Sequence, residues 1–218
     1  MNKKLFIAGN WKSNKTLVES KAWMDQFHSD LGDATVVLCV PFTVLSYFHD
    51  VLAASQSHLQ LGAQNVSPFS NGAYTGEINA SQIKELAQWV IIGHSERRKN
   101  FGEADLVLQQ RVDRALETGL QIIYCVQDDH SSVPKGVHVV AYEPVWAIGT
   151  GKADSPENAN AVLTQIKKAT GISTGIYGGS ITHENVKSFV TMDAIDGVLP
   201  GGASLDPGKF QALISAAL

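Results

Sequence analysis

The sequence predicts an α/β fold in which eight parallel strands alternate with helices and close into a (β/α)8 barrel, with no helix after the fifth strand. Three observations carry this. Short apolar runs recur from end to end of the 218 residues. The stretches between them carry helix-capping signals. One link, Gln127–Gly136, is instead polar and rich in helix breakers.

The strand-like runs are Leu5–Ala8, Thr35–Val40, Leu59–Ala63, Trp89–Ile92, Gln121–Val126, Val137–Tyr142, Thr174–Tyr177 and Gly197–Leu199. Each is nearly continuous in apolar residues rather than alternating, the pattern of parallel strands buried on both faces. Among the intervening segments, Thr16-Leu17-Val18-Glu19 reads as a capping box, and Asn79-Ala80-Ser81-Gln82 resembles one. Ser155-Pro156-Glu157 and Asp206-Pro207 place a side-chain acceptor at the N-cap and proline at the first helical position. Gly119 and Gly171 stand where helices should stop. Near Glu103–Thr118, residues Leu106, Leu108, Val112 and Leu116 are expected to form one core-facing stripe. The strand–helix unit repeats about every 27 residues. No low-complexity linker interrupts it, so residues 1–218 read as one catalytic domain.

The link after the fifth run carries Asp128, Asp129, Ser131, Ser132, Pro134 and Gly136. Proline and glycine would break a helix there, and the link is close to the shortest that crosses between parallel strands. Omitting a helix should bare one face of strands five and six, which carry Ile122, Ile123, Tyr124, Val139, Val140 and Tyr142. Exposing such side chains costs about 25 cal/mol per Å² of apolar surface, so something should cover them. Neighbouring helices, the link itself or another molecule could do so.

The net charge of −4 argues against a nucleic-acid binder. No apolar run is long enough to span a membrane, and the basic start of the chain is not followed by a signal-peptide core. The two cysteines, Cys39 and Cys125, lie in apolar runs without metal-ligand spacing, consistent with a reducing compartment. The expected location is the cytoplasm.

In a parallel barrel the chemistry gathers where strands end. After the first run come Asn10, Trp11 and Lys12, and after the fourth His94, Ser95 and Glu96. Glu143 follows the sixth, Gly178-Gly179-Ser180 the seventh, and Gly201-Gly202 the eighth. A strand-end lysine by itself commonly points to solvent, and a Gly-Gly pair is commonly a turn. Together on one rim they support a particular chemistry. Backbone N–H groups of glycine-rich turns bind phosphate. A carboxylate removes a proton beside a carbonyl, while a neutral imidazole and an ammonium stabilise the resulting oxyanion. Nothing here implies a cofactor or a metal. A lyase on another phosphate-binding barrel, or a barrel that only binds phosphate, remains open at this point.

Five segments resemble the triosephosphate isomerase family. They are Gly9-Asn10-Trp11-Lys12, Gly93-His94-Ser95-Glu96-Arg97-Arg98, Ala141-Tyr142-Glu143-Pro144-Val145-Trp146 with the following Ala147–Lys152, Tyr177-Gly178-Gly179-Ser180, and Gly201-Gly202-Ala203-Ser204-Leu205. The resemblance implies a TIM barrel and isomerisation of a phosphorylated triose without cofactor. It implies Glu143 as the base, neutral His94 as the electrophile, Lys12 as the positive charge, and Asn10 and Trp11 as substrate contacts. Gly149, Ser180, Gly201 and Gly202 would bind the phosphate, with Ser95 and Glu96 in support. A glutamate base, a neutral histidine and a closing loop, here Ala147–Gly151, are the known mechanism of that family. The segment from Gln64 to Glu77 resembles the loop with which the family forms homodimers, and Thr75 would sit at its tip near the partner's Asn10 and Lys12. The chain departs from the family pattern at Ser13, Gln127, Asp128, Asp154 and Pro200.

Overall fold

A computed structural model describes residues 3–55, 57–145 and 153–218. Eight strands close in sequence order into a barrel. They are β1 (Phe6–Asn10), β2 (Thr35–Val40), β3 (Gln60–Ala63), β4 (Trp89–Ile92), β5 (Gln121–Val126), β6 (Val139–Tyr142), β7 (Thr174–Tyr177) and β8 (Gly197–Val198). Every pairing is parallel, and β1 meets β8 through Phe6↔Gly197 and Ile7↔Val198. The first strand runs two residues further than the sequence reading placed it, carrying Asn10 onto its end. The sixth begins two residues later, at Val139.

Eight helices lie between or after the strands among the described residues: α1 (Leu17–Gln26), α2 (Phe42–Ala53), α3 (Ala80–Leu86), α4 (Ser95–Phe101), α5 (Asp105–Glu117), α6 (Pro156–Thr170), α7 (Val186–Val190) and α8 (Pro207–Ala217). Their starts follow the capping chemistry. Thr16 and Asn79 both close reciprocal capping boxes, and the side chains of Ser155 and Asp206 accept N–H bonds from Asn158 and Lys209. In α5, Leu108, Val112 and Ala115 face the core, but Leu106 is 73% exposed. Two residues from Leu108 is about 200° around a helix, so the two cannot share its narrow buried face.

Successive strand residues alternate between two apolar layers. Phe6, Ala8, Val37, Cys39, Trp89, Ile91, Ile123, Cys125, Val139, Ala141, Ile176 and Leu199 form one cluster, inside the barrel. Ile7, Leu38, Val90, Ile122, Tyr124, Val140 and Tyr177 belong to the larger cluster that includes the helix faces. This two-residue period continues beyond the strand ends. Asn10, two after Ala8, and Glu143, two after Ala141, are thereby aimed at the barrel mouth.

Residues 127–138 contain no helix. The outer face of β5 and β6 is nevertheless covered: Ile122, Tyr124, Val126, Val140 and Tyr142 are all buried. The link supplies the cover itself. Val137 joins the core cluster, and Val133 and the α5 residue Leu116 pack against it. Gly136 makes this approach with φ +85°, and a Cβ there would lie 2.7 Å from Leu116 Cδ1. At its start the link is tied down by Asp128, whose carboxylate accepts from the Ser131 hydroxyl and the His130 N–H. Of the three covers open to the sequence reading, the structure uses the link, packed against a helix of the preceding unit.

Candidate active site

Strand alternation alone would turn His94 away from the mouth, because Ile92 faces the helices. Gly93 resolves this with φ +76°. The reversal brings His94 to the rim as the N-cap of α4. Arg98 fixes the reversal from outside, donating to Gly93 O at 2.9 Å, to the Tyr124 hydroxyl at 3.2 Å and to Asp105 at 3.0 Å. Lys12 is also brought in by an unusual backbone, φ 52° without being glycine. Such a conformation costs on the order of 1–3 kcal/mol and is commonly held by its surroundings at functional sites. Here the Lys12 N–H donates to Asn10 Oδ1 at 3.0 Å, and the Lys12 carbonyl accepts from Gln64 Nε2 at 2.9 Å.

These residues line one cavity of about 500 Å³ together with Gly178, Gly179, Ser180, Gly201 and Gly202. On one wall, Glu143 Oε1 accepts from His94 Nε2 at 2.9 Å, and Glu143 Oε2 accepts from the Ser95 N–H at 2.8 Å. On the other, Lys12 Nζ meets Glu96 Oε1 at 2.6 Å. Gly178 packs so closely that a Cβ there would lie 2.9 Å from Glu143 Cγ. The N–H groups of Gly201 and Gly202 have no acceptor among the described residues. Ser180 lines the same wall.

Burial and partners oppose each other at the central pair. Burial pushes the Glu143 carboxyl up, but His94 and the Ser95 N–H outweigh it and hold it below the usual carboxylate range. Burial likewise disfavours a charged His94, while Glu143 and then Glu96 favour it, and the net direction in this arrangement is up. One bond works against the charged ring. His94 Nδ1 accepts the Glu96 N–H at 3.2 Å, which a protonated Nδ1 could not do. Once Glu143 turns from His94 toward a substrate, the main influence favouring charge is gone. The ring is then neutral, with its proton on Nε2 facing the cavity.

The site holds most of the residues that the strand-end reading selected: Asn10, Lys12, His94, Glu143, Ser180, Gly201 and Gly202. Ser95 and Glu96 act from behind it, as donor to Glu143 and partner to Lys12. Trp11 is a correction. It is fully buried and does not line the cavity; its indole points beneath the rim and donates to Ser204 O at 3.0 Å. The positive φ at Lys12 explains this, since the chain turns out of strand geometry immediately after Asn10. Gly149 and the rest of 146–152 lie outside the described residues. Thr75 is exposed, away from its own chain's cavity. Gln64 escaped the sequence reading, although it too follows a strand, β3, and is polar at the rim.

The departure at Asp154 also has a structural setting. Its buried carboxylate accepts from the Tyr142 hydroxyl at 3.2 Å, Asn158 Nδ2 at 2.7 Å and the Ser155 N–H at 2.8 Å. Its own N–H donates to Tyr177 Oη at 2.8 Å. Burial, with Asp154 adding to it at Tyr142, pushes both phenols up, that of Tyr177 to about 12.

Comparison with known proteins decides the family. The model of the family described as Triosephosphate isomerase matches residues 5–217. The chain belongs to the triosephosphate isomerase family. A protein of Hahella chejuensis with that name is 41% identical over 251 residues, covering 100% of both chains. Its namesake from Synechocystis is 40% identical over 240 residues, covering 98% of each. A third, from Alkaliphilus metalliredigens, is 38% identical over 248 residues, covering 98% of this chain and 99% of the relative. The 251 aligned positions exceed the 218 residues here, so the Hahella relative has stretches that this chain lacks. Triosephosphate isomerases are intramolecular oxidoreductases of the aldose–ketose type, and the chain is an enzyme of that class.

Replacing His94 by alanine should move the acid limb of kcat/KM to higher pH. It removes a partner that lowers the Glu143 pKa and leaves burial, which raises it. The pH profile of the residual activity measures this, and an unmoved or lowered acid limb would contradict the assigned balance.

Proposed function

We propose that the chain interconverts D-glyceraldehyde 3-phosphate and dihydroxyacetone phosphate through an enediolate, serving glycolysis and gluconeogenesis. The observation that carries this reading is the convergence of Glu143, His94 and Lys12 on one cavity that also presents the Gly201 and Gly202 N–H groups. Those N–H groups, with Ser180, bind the phosphate, since oriented backbone donors suit an anion whatever the net charge of the chain. Asn10 and Lys12 hold the carbonyl end. Glu143 leaves His94, takes the proton from the carbon beside the carbonyl and returns it to the neighbouring carbon. His94 donates its Nε2 proton to the developing oxyanion, and Lys12 offsets the charge. A neutral imidazole is the better partner here, being closer in acidity to an enediol than imidazolium is. The steps draw only on groups of this chain, in one catalytic domain spanning residues 1–218.

The partner we propose is a second copy of the chain. The segment carrying Thr75 supports this: Phe69 and Tyr74 stack with ring centroids 4.1 Å apart, yet both are partly exposed, as is Phe101. Exposed apolar side chains of this kind suit an interface. Among the described residues no helix is long and apolar enough to cross a membrane. We propose a cytoplasmic enzyme that engages neither membrane nor nucleic acid.

Purified protein mixed with glyceraldehyde 3-phosphate should produce dihydroxyacetone phosphate, and Glu143→Gln should lower kcat by about 10²–10⁴-fold with the fold retained. Turnover unchanged in Glu143→Gln would remove Glu143 as the base. Shortening residues 69–76 should give monomers of low activity by light scattering. A variant that remains dimeric would show that this segment is not the main interface.

A further inference from the structure

The turn that presents Gly201 and Gly202 is held from below by one buried carbonyl. Ser204, fully buried, lies in the 3-10 turn Gly202–Leu205. Its N–H and its hydroxyl both donate to Gly201 O, at 2.9 and 2.7 Å, which fixes the inside of the turn. Its carbonyl points into the core and accepts two indole N–H groups, from Trp11 at 3.0 Å and from Trp23 at 3.1 Å. The two indoles come from different parts of the chain. Trp11 follows β1, and Trp23 lies in the middle of α1, where it is buried.

A carbonyl oxygen has two lone pairs, and one donor would suffice to satisfy it. Two donors from separate elements do more, because they fix the direction of the peptide group. In a short 3-10 turn the carbonyls point one way along the axis and the N–H groups the other. Fixing Ser204 O toward the indoles therefore aims the N–H groups at the start of the turn toward the cavity. A leucine or phenylalanine at position 23 could fill comparable core space but could not make this bond. The aromatic surroundings hold the donor in place: Trp23 meets Trp11 edge-on at 5.2 Å and stacks on Phe27 at 4.7 Å.

We infer that Trp23 is a positioning residue for the phosphate-binding turn, acting through the Ser204 carbonyl to orient the Gly201 and Gly202 N–H groups. The inference rests on the proposal that those two groups bind phosphate. It places part of the affinity for the anionic end of the substrate in a helix that never touches the cavity.

Inorganic phosphate is the probe. Titrated into 15N-labelled full-length protein, it should shift the amide resonances of Gly201 and Gly202. It should also shift the indole N–H resonances of Trp11 and Trp23, but not that of Trp89, which is bonded to Gln60 Oε1 at 2.7 Å on the other end of its strand. Trp23→Phe should weaken phosphate binding about 3- to 10-fold, the size expected for one lost hydrogen bond. KM for glyceraldehyde 3-phosphate should rise more than kcat falls. Phe27→Leu, which disturbs the same aromatic cluster but no bond to Ser204, should lower the melting temperature and leave phosphate affinity unchanged. Glycine amides that do not move in the parent protein would overturn the phosphate-turn proposal and this inference with it. Glycine amides that do move, with phosphate affinity unchanged in Trp23→Phe or weakened equally in Phe27→Leu, would overturn the role of Trp23 alone. The indole readout needs no variant, and a Trp23 signal unmoved at phosphate saturation would overturn it as well.

Discussion

Closing eight parallel strands in sequence order puts all their C-terminal ends on one rim, and the rest of the molecule depends on that constraint. β1 delivers Asn10 and Lys12, β4 His94, β6 Glu143, β7 the Gly178–Ser180 turn and β8 the Gly201–Gly202 turn. No two of these lie on neighbouring turns of one element, so only closure brings them within reach of one small molecule. The helices matter to the site mainly by holding the strand ends in register. This is why the β5–β6 unit tolerates a link without a helix: Glu143 leaves β6 at the rim, whereas the link is needed only to cover Ile122, Tyr124 and Val140 on the outside.

Around the mouth, the protein aims its groups with bends rather than with regular structure. Gly93 and Lys12 both leave the right-handed region, and each is clamped from behind, by Arg98 and by Gln64. The buried carboxylate of Glu143 is parked between His94 and the Ser95 N–H, which keeps it ionised where burial alone would favour protonation. Leaving that position restores its basicity and releases His94 to the neutral form. A single movement of one side chain therefore prepares both partners in proton transfer. The phosphate end is built differently, from backbone donors whose direction is set by Ser204 and the two indoles beneath it.

The two-residue period made much of this legible in the sequence. It located the eight strands to within two residues at each end and carried Asn10 and Glu143 correctly to the mouth. The capping signals at Thr16, Asn79, Ser155 and Asp206 had the same clarity, because each is a local bond between neighbours in sequence. The misplacements come where that periodicity ends. Trp11 reads as a rim residue by position, but the turn at Lys12 sends its ring below the surface. Leu106 reads as core by composition, yet lies on the wrong side of α5. Gln64 and Trp23 act through contacts far away in sequence, to Lys12 and to Ser204, which no local pattern announces. The missing helix was readable for the opposite reason: Pro134 and Gly136 forbid it locally, although which atoms would fill its place depended on packing against Leu116.

The most direct test of the account is the fate of the transferred hydrogen. Dihydroxyacetone phosphate turned over in D2O should give glyceraldehyde 3-phosphate carrying deuterium at carbon 2, because a carboxylate that holds the proton between two carbons exchanges it with solvent. Product free of deuterium at carbon 2 at every extent of reaction would mean that hydrogen passes directly between the carbons. That result would contradict a base at Glu143.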